Sequence, residues 1–236
     1  EQSSSDSAAR FKSSLFSGER FIDLTGGMGC DAYFMGQSFR EGILVEQQTI
    51  LGRLTAYNLH DVLGAGNLYV EASTEAFDFI RRFKGSVDMI YLDPARRDAR
   101  GGKVFALCDC EPDITALLPE LWLHTEMVTV KTSPLLDIDL ACTQLQYVKD
   151  VYVISSGNEC RELLFVMKKD FEGYYQIHAV SLDKMFTLSA TRQEEKDAGV
   201  EYGPPATYLY EPDAGIMKAG LFKMAAQTYG LIKLHP

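Results

Sequence analysis

Residues 20–31, Arg-Phe-Ile-Asp-Leu-Thr-Gly-Gly-Met-Gly-Cys-Asp, constrain this chain more than any other stretch. The apolar pair Phe21-Ile22 runs into an acid, Asp23, and a glycine-rich turn follows before a helical pattern starts at Asp31. A buried strand that passes to a helix through glycines lets backbone approach a ligand closely at the helix start. Such a turn serves a nucleotide-type cofactor, and by itself it leaves two kinds open. Gly27, Gly29 and Ala32 fit the G-x-G-x-x-G/A turn of a dinucleotide site, while Asp23, Gly27 and Gly29 fit most of the D/E-x-G-x-G-x-G turn of S-adenosylmethionine enzymes.

The rest of the chain narrows the choice. Strand-like apolar runs at 21–25, 42–46, 67–71, 87–92 and 127–130 alternate with helical spacings, notably Ile50, Leu51, Leu54, Tyr57 and Val62, and residues 114–123. That alternation predicts a parallel sheet covered on both faces. A short amphipathic helix precedes it, with Ser3-Ser4-Ser5-Asp6 as its cap and Ala8, Phe11, Leu15 and Phe16 on its apolar side. After residue 145 the pattern changes. Runs at 148–154 and 163–167 have no helix between them, and too few residues intervene for a parallel crossover, so they predict an antiparallel hairpin. An α/β sheet that ends in a hairpin favours S-adenosylmethionine over a nicotinamide cofactor. The expected division is a cofactor domain over 1–180 and a linker plus small C-terminal segment over 181–236. In the latter, 191–197 reads as polar linker, Gly203-Pro204-Pro205 breaks structure, and Ile216, Leu221, Met224 and Ala225 recur at helical spacing without enough chain to close a core of their own.

No apolar run approaches the ~18 residues of a membrane span, and the polar, Ser-rich start lacks a signal-peptide core, so the expected setting is soluble and cytoplasmic with no membrane contact. The five cysteines, at 30, 108, 110, 142 and 160, offer only a C-x-C pair with no matching ligand set, which points to free thiols and no metal. A formal charge of −10 argues against a broad nucleic-acid face, because phosphate binding draws on excess Lys and Arg. Any RNA contact must use local clusters: Arg81, Arg82 and Lys84, or Arg96, Arg97, Arg100 and Lys103.

Candidate site residues follow from strand ends. Glu46 closes the second strand 23 positions after Asp23, near the ~20 expected for a carboxylate on the ribose hydroxyls. Glu71 closes the third, where such folds read the adenine amino group. Asp23 is placed to orient the glycine turn or meet the cofactor's ammonium, and Asp31 to cap the next helix. Asp93-Pro94-Ala95-Arg96 lies at the end of the fourth strand, where open α/β sheets hold ligands. It gives Asp93 and Pro94 an acceptor-orienting role and lets Arg96 stack on a planar substrate or clamp a phosphate. Lys131, after the fifth strand, is the expected cationic neighbour of Asp93, and residues 158–162 at the hairpin turn could face the same edge. No Ser-His-Asp order, G-x-S-x-G elbow or His ligand spacing is present.

Together, Asp23 to Asp31, Asp93 to Arg96, Lys131-Thr132-Ser133-Pro134, residues 157–162 and Tyr210-Glu211-Pro212-Asp213-Ala214-Gly215-Ile216 resemble a bacterial family of class I S-adenosylmethionine-dependent methyltransferases with a C-terminal THUMP-like domain. The resemblance implies a Rossmann-like seven-stranded sheet of order 3-2-1-4-5-7-6, S-adenosylmethionine at Gly26 to Gly29, and RNA, tRNA or rRNA, as methyl acceptor. Two departures stand out. Thr25 replaces the first glycine of the usual turn, as in several RNA methyltransferases, and the THUMP-like part is incomplete. Protein or small-molecule methyl transfer, an inactive cofactor-binding scaffold and a nicotinamide-dependent oxidoreductase stay open as alternatives.

Overall fold

The computed structural model describes residues 4–96, 107 and 110–235. In chain order the elements begin α1 (Asp6–Ser14), β1 (Gly18–Asp23), α2 (Cys30–Met35), β2 (Phe39–Glu46), α3 (Thr49–Tyr57, running on into a π-turn), β3 (Leu68–Ala72), α4 (Ala76–Arg82) and β4 (Met89–Leu92). There follow β5 (Ala95–Arg96), β6 (Cys110–Glu111), α5 (Ile114–Leu121), β7 (Met127–Thr132), α6 (Ile138–Gln144), β8 (Val148–Ser156) and β9 (Glu159–Lys168). The chain closes with β10 (Gln176–Ser181), β11 (Phe186–Ala190), α7 (Arg192–Asp197), α8 (Ala214–Ala219) and α9 (Phe222–Tyr229).

One sheet organises these elements, in the order β3-β2-β1-β4-β7-β9-β8-β10-β11, with β5 and β6 as a separate short ribbon. Strands β3, β2, β1, β4 and β7 run parallel, and β9 is antiparallel to both β7 and β8. Numbered by their place in the chain, the first seven strands of the sheet give 3-2-1-4-5-7-6, hairpin included. The sheet does not stop there. β10 adds parallel to β8 and β11 antiparallel to β10, so the sheet continues past residue 180.

Adjacent residues of the inner strands bury on opposite faces, which is why their runs are continuously apolar. On one face Ile22, Ile90, Leu92, Val130 and Phe165 pack with Phe79, Leu117, Ile138 and Ile216 from the helices α4, α5, α6 and α8. On the other, Phe21, Leu44, Met89, Tyr91 and Leu164 meet Ala8 of α1, Ala32 and Met35 of α2, and Leu59. Each such large side chain contributes about 1.5–3 kcal/mol by burial. α1 contributes little of this, since only its alanines and part of Phe11 bury apolar surface, yet Lys12 on the same helix is completely buried.

Residues 191–197, expected as polar linker, instead form α7. Thr191 accepts from the Glu194 N–H while the Glu194 carboxylate accepts from the Thr191 N–H, a capping box that starts a helix with no buried face. α8 is held to the sheet through buried Asp213, which accepts from Ser155 Oγ at 2.6 Å, from the Gly215 N–H at 2.9 Å and from Lys184 Nζ at 2.8 Å. Cys30, Cys142 and Cys160 are free, half-buried thiols. Burial pushes Cys142 up to about 12 and Cys160 up to about 11, which leaves both unreactive at neutral pH. Among the described residues no helix is long and apolar enough to cross a membrane.

Candidate active site

The site is built on the carboxyl ends of β1, β2, β4 and β7. β1 ends at Asp23, whose Oδ1 accepts from the Thr25 N–H at 2.9 Å and the Thr25 hydroxyl at 3.1 Å. The same hydroxyl oxygen accepts from the Asp93 N–H at 2.6 Å. Thr25 therefore ties the turn after β1 to the loop after β4. This is a task a glycine in that position has no side chain to perform.

Gly27 and Gly29 sit at φ +50° and +76°, a left-handed conformation that costs glycine nothing. A Cβ at Gly29 would stand 2.9 Å from Thr55 Cγ2, so α3 packs directly on the turn. At Gly27 a Cβ would meet only Thr25 O, 3.6 Å away, and would project into the open cavity. Glu46 braces this turn. Its Oε2 accepts from the Gly27 N–H at 2.9 Å and its Oε1 from the Gln48 N–H at 2.7 Å. From α3, the Thr55 hydroxyl donates to Gly27 O at 2.6 Å.

On the far side of β1, Asp93 Oδ2 lies 2.5 Å from Lys131 Nζ. Burial raises Asp93 above the ordinary carboxylate range despite that partner. Burial would lower Lys131, but Asp93 and then Asp31 outweigh it and hold the ammonium above its ordinary value. Asp23 is pushed up to about 7, by burial first and then by Asp31 and Asp93, against the bonds from Thr25. Asp31 goes the other way. Burial would raise it, but Lys12 and Lys131 prevail and keep it below its ordinary value, helped by the Tyr91 hydroxyl donating to Oδ2 at 2.7 Å.

A cavity of about 890 Å³ runs along this edge, lined by Thr25, Gly27, Glu46 and Gln48 at one end and by Pro94, Ala95, Lys131, Ser133 and Arg161 at the other. A smaller recess of about 210 Å³ lies against Asp23, Gly26 to Asp31, Tyr91, Asp93 and Lys131. Asp23, Thr25, Gly26, Gly27, Gly29, Asp31, Glu46, Asp93, Pro94 and Lys131 are thus gathered along one edge. Glu71 is not. Its side chain is about half exposed and pairs with Arg82 at 3.3 Å, away from both cavities, because position 71 points outward one residue before β3 ends. Thr74, Glu75 and Phe77 occupy the corresponding wall instead. Arg96 contributes backbone to β5, but its side chain, like the whole of Arg97, Arg100, Lys103 and Cys108, lies outside the described residues.

Three site residues escaped the candidate set, Ser4, Lys12 and Tyr91, while Glu162 belongs to the 158–162 run expected at this edge. Lys12 had a signal, since it follows Ala8 by one helical turn and falls on the apolar side of α1. Glu162 sits near the start of an antiparallel strand, so β9 brings its beginning to the edge where the parallel strands end.

Residues 208–236 match a family described as a ferredoxin-like domain. No curated protein matches the sequence. Among solved structures, a candidate methyltransferase from Porphyromonas gingivalis W83 aligns with 100% of this chain and 60% of its own, at 28% identity and a TM-score of 0.82. TrmK of M. capricolum, solved with its natural cofactor product S-adenosylhomocysteine, aligns with 72% of this chain and 70% of its own, at 8% identity and a TM-score of 0.53. The fold is that of a class I methyltransferase. The chain spans about 60% of the length of the P. gingivalis protein it matches, and its C-terminal family match is ferredoxin-like where the sequence resemblance implied a THUMP-like part.

Proposed function

We propose that the protein transfers the methyl group of S-adenosylmethionine to a nucleobase of structured RNA. The observation that carries the methyl-transfer part is the single cavity that joins the glycine turn and Glu46 at one end to the Asp93–Lys131 pair at the other. Its volume lies within the range of sites that enclose a drug-sized ligand. The residues fit the cofactor. Gly27 leaves room for it, Glu46 keeps unused lone pairs for ribose hydroxyls beyond the two backbone bonds it makes, and the buried acids Asp23 and Asp93 suit a cationic ligand.

Bound there, S-adenosylmethionine supplies an electrophilic methyl on a sulfonium. The chain's own work is orientation. Thr25 fixes the backbone of Asp93, Pro94 stiffens the turn behind it, and Lys131 holds one of its carboxylate oxygens. The second oxygen, on a side chain about one-third exposed at the cavity, accepts a hydrogen bond or proton from the nucleophile. The C-terminal segment, whose family match is ferredoxin-like, and the basic run Arg96, Arg97, Arg100 and Lys103 are proposed to grip RNA, and the cytoplasm is the proposed setting.

One observation favours a second reading, a cationic protein or small-molecule acceptor. The described lining of the cavity carries Glu46, Glu75, Asp93, Glu111, Asp113 and Glu162 against Lys131 and Arg161. Incubating the protein and labelled S-adenosylmethionine with total RNA, protein and metabolites from cells lacking it separates the two. Label in RNA is expected; label only in protein or small molecules refutes the RNA acceptor, and no cofactor binding by calorimetry refutes methyl transfer itself.

A further inference from the structure

Under the candidate active site lies a buried ionic network to which the N-terminal helix contributes a cation. Lys12 Nζ, completely buried, donates to Ser4 Oγ at 2.6 Å and forms ion pairs with Asp31 Oδ1 at 2.9 Å and Glu162 Oε1 at 2.7 Å. Ser4 Oγ also accepts from Lys131 Nζ at 3.1 Å and donates to Asp31 Oδ2 at 2.9 Å. Lys131 in turn holds Asp93 and stands 3.6 Å from Asp31. Five elements or their flanking loops thus meet through one set of contacts: α1, α2, β4, β7 and β9.

A lysine is not buried on so thin an apolar helix for packing. Removing an ammonium from water costs several kcal/mol, and the small apolar area of α1 does not offset it. The contacts to Asp31 and Glu162 must do so, which makes α1 and the acids mutually dependent. The charge count matters as much. Asp23, Asp31, Asp93 and Glu162 face only two cations in this network, Lys12 and Lys131, with Tyr91 as the remaining titratable neighbour. The acids are held in excess where a cationic ligand would arrive.

We infer that Lys12 and Ser4 are positioning residues of the cofactor site: Lys12 clamps Asp31 to Glu162, and Ser4 carries that register to Lys131 and so to Asp93. The inference rests on the S-adenosylmethionine reading. It has a consequence that a purely structural lysine would lack, because Lys12 then sets how many protons the acids hold before a cation binds. Binding a cation favours ionised carboxylates, so wild-type protein releases protons on binding near neutral pH. Without Lys12 the carboxylates of Asp31 and Asp93 lose a counter-charge, hold more protons when free and release more on binding. Without the Glu162 carboxylate the Lys12 ammonium acts undivided on Asp31 and Asp93, and release falls.

The test is titration calorimetry of S-adenosylmethionine into the protein at pH 7 in two buffers of different ionisation enthalpy, which gives the number of protons released. Lys12→Met is expected to raise that number and Glu162→Gln to lower it. The double variant, which removes one charge of each sign, is expected to return near the wild-type number. Should Lys12→Met not fold, Glu162→Gln and the double variant, whose neutral pair avoids an unpaired buried charge, carry the same test. An unchanged proton count in every variant that binds overturns the inference while leaving the cofactor reading intact. No binding by wild-type protein overturns both.

Discussion

Glu46 offers the sharpest test of the site, because its carboxylate has two tasks, one seen in the structure and one proposed, that can be measured apart. It is 93% buried by its 7% exposure, and it accepts from two backbone N–H groups, those of Gly27 and Gln48. Hydrogen bonds to a charged acceptor contribute about 1.5–3 kcal/mol each, so Glu46→Ala is expected to lose about 3 kcal/mol taking the lower figure for both. For a domain of this size that is a fall of about 6–12 °C in Tm. Glu46→Gln keeps one acceptor oxygen but turns an NH₂ toward one of the two donors, so about half the loss is expected. The second task is the ribose. S-adenosylmethionine affinity, measured by calorimetry at a temperature where each variant is fully folded, is expected to drop by a further ~1–3 kcal/mol in Glu46→Ala. Unchanged melting in both variants would refute the bracing role. Unchanged affinity in folded Glu46→Ala would refute the ribose assignment, whatever happened to Tm.

Asp93→Ala is expected to leave S-adenosylmethionine affinity within a few fold while methyl transfer falls ~10²-fold or more, as when an orienting or proton-accepting group is lost; full activity on the true acceptor would exclude that role. Asp23 has a folded-state value of about 7 against 3.8 ordinarily, so its contribution to stability is fully present below pH ~4 and is lost as pH rises through 7. Urea unfolding of wild type and Asp23→Asn at pH 4 and pH 8 should therefore show the variant gaining about 2–4 kcal/mol relative to wild type at the higher pH. A constant difference would show that Asp23 keeps its ordinary value in the folded protein. Asp213→Ala leaves the Gly215 N–H without its acceptor and the buried Ser155 hydroxyl with Val180 O alone, and a loss of about 1–3 kcal/mol with faster amide exchange in α8 is expected. Protection unaltered in 214–219 would mean that α8 is held by its apolar contacts alone.

How far the chain could be read depended on whether the signal was local. The apolar runs that end on Asp23, Glu46 and Leu92 mark their strands because strands buried on both faces need no alternation. The 148–154 and 163–167 runs gave the hairpin because their connection is too short for anything else. β10 and β11 gave no such signal. Gln176-Ile177-His178-Ala179-Val180-Ser181 and Phe186-Thr187-Leu188-Ser189-Ala190 are short and half polar, and only their pairing on the edge of an existing sheet makes them strands. α7 was legible in principle, through Thr191 and Glu194 at capping-box spacing, but no apolar face supported it. Glu71 shows the opposite failure. Its place near a strand end was read correctly, while the direction of the side chain depends on a register that one residue reverses.

The same geometry explains why the site's chemistry is concentrated while its specificity is dispersed. β1 and β4 lie side by side at the point where successive strands depart in opposite directions, so the turns after them diverge and leave a crevice that neighbouring strand ends can only line. Asp23, Thr25 and Asp93 come from those two turns and are joined through Thr25, which under the proposed methyl transfer fixes the reacting end independently of the acceptor. On that reading, discrimination among acceptors falls to segments added around that pair: the β5–β6 ribbon, Ser133 and Pro134 after β7, and Arg161 on the hairpin. A change in acceptor therefore requires changes only in these surrounding segments. Substitutions there should alter KM for the acceptor and leave the proton balance of the buried acids untouched, whereas substitutions at Thr25 should disturb Asp23 and Asp93 together.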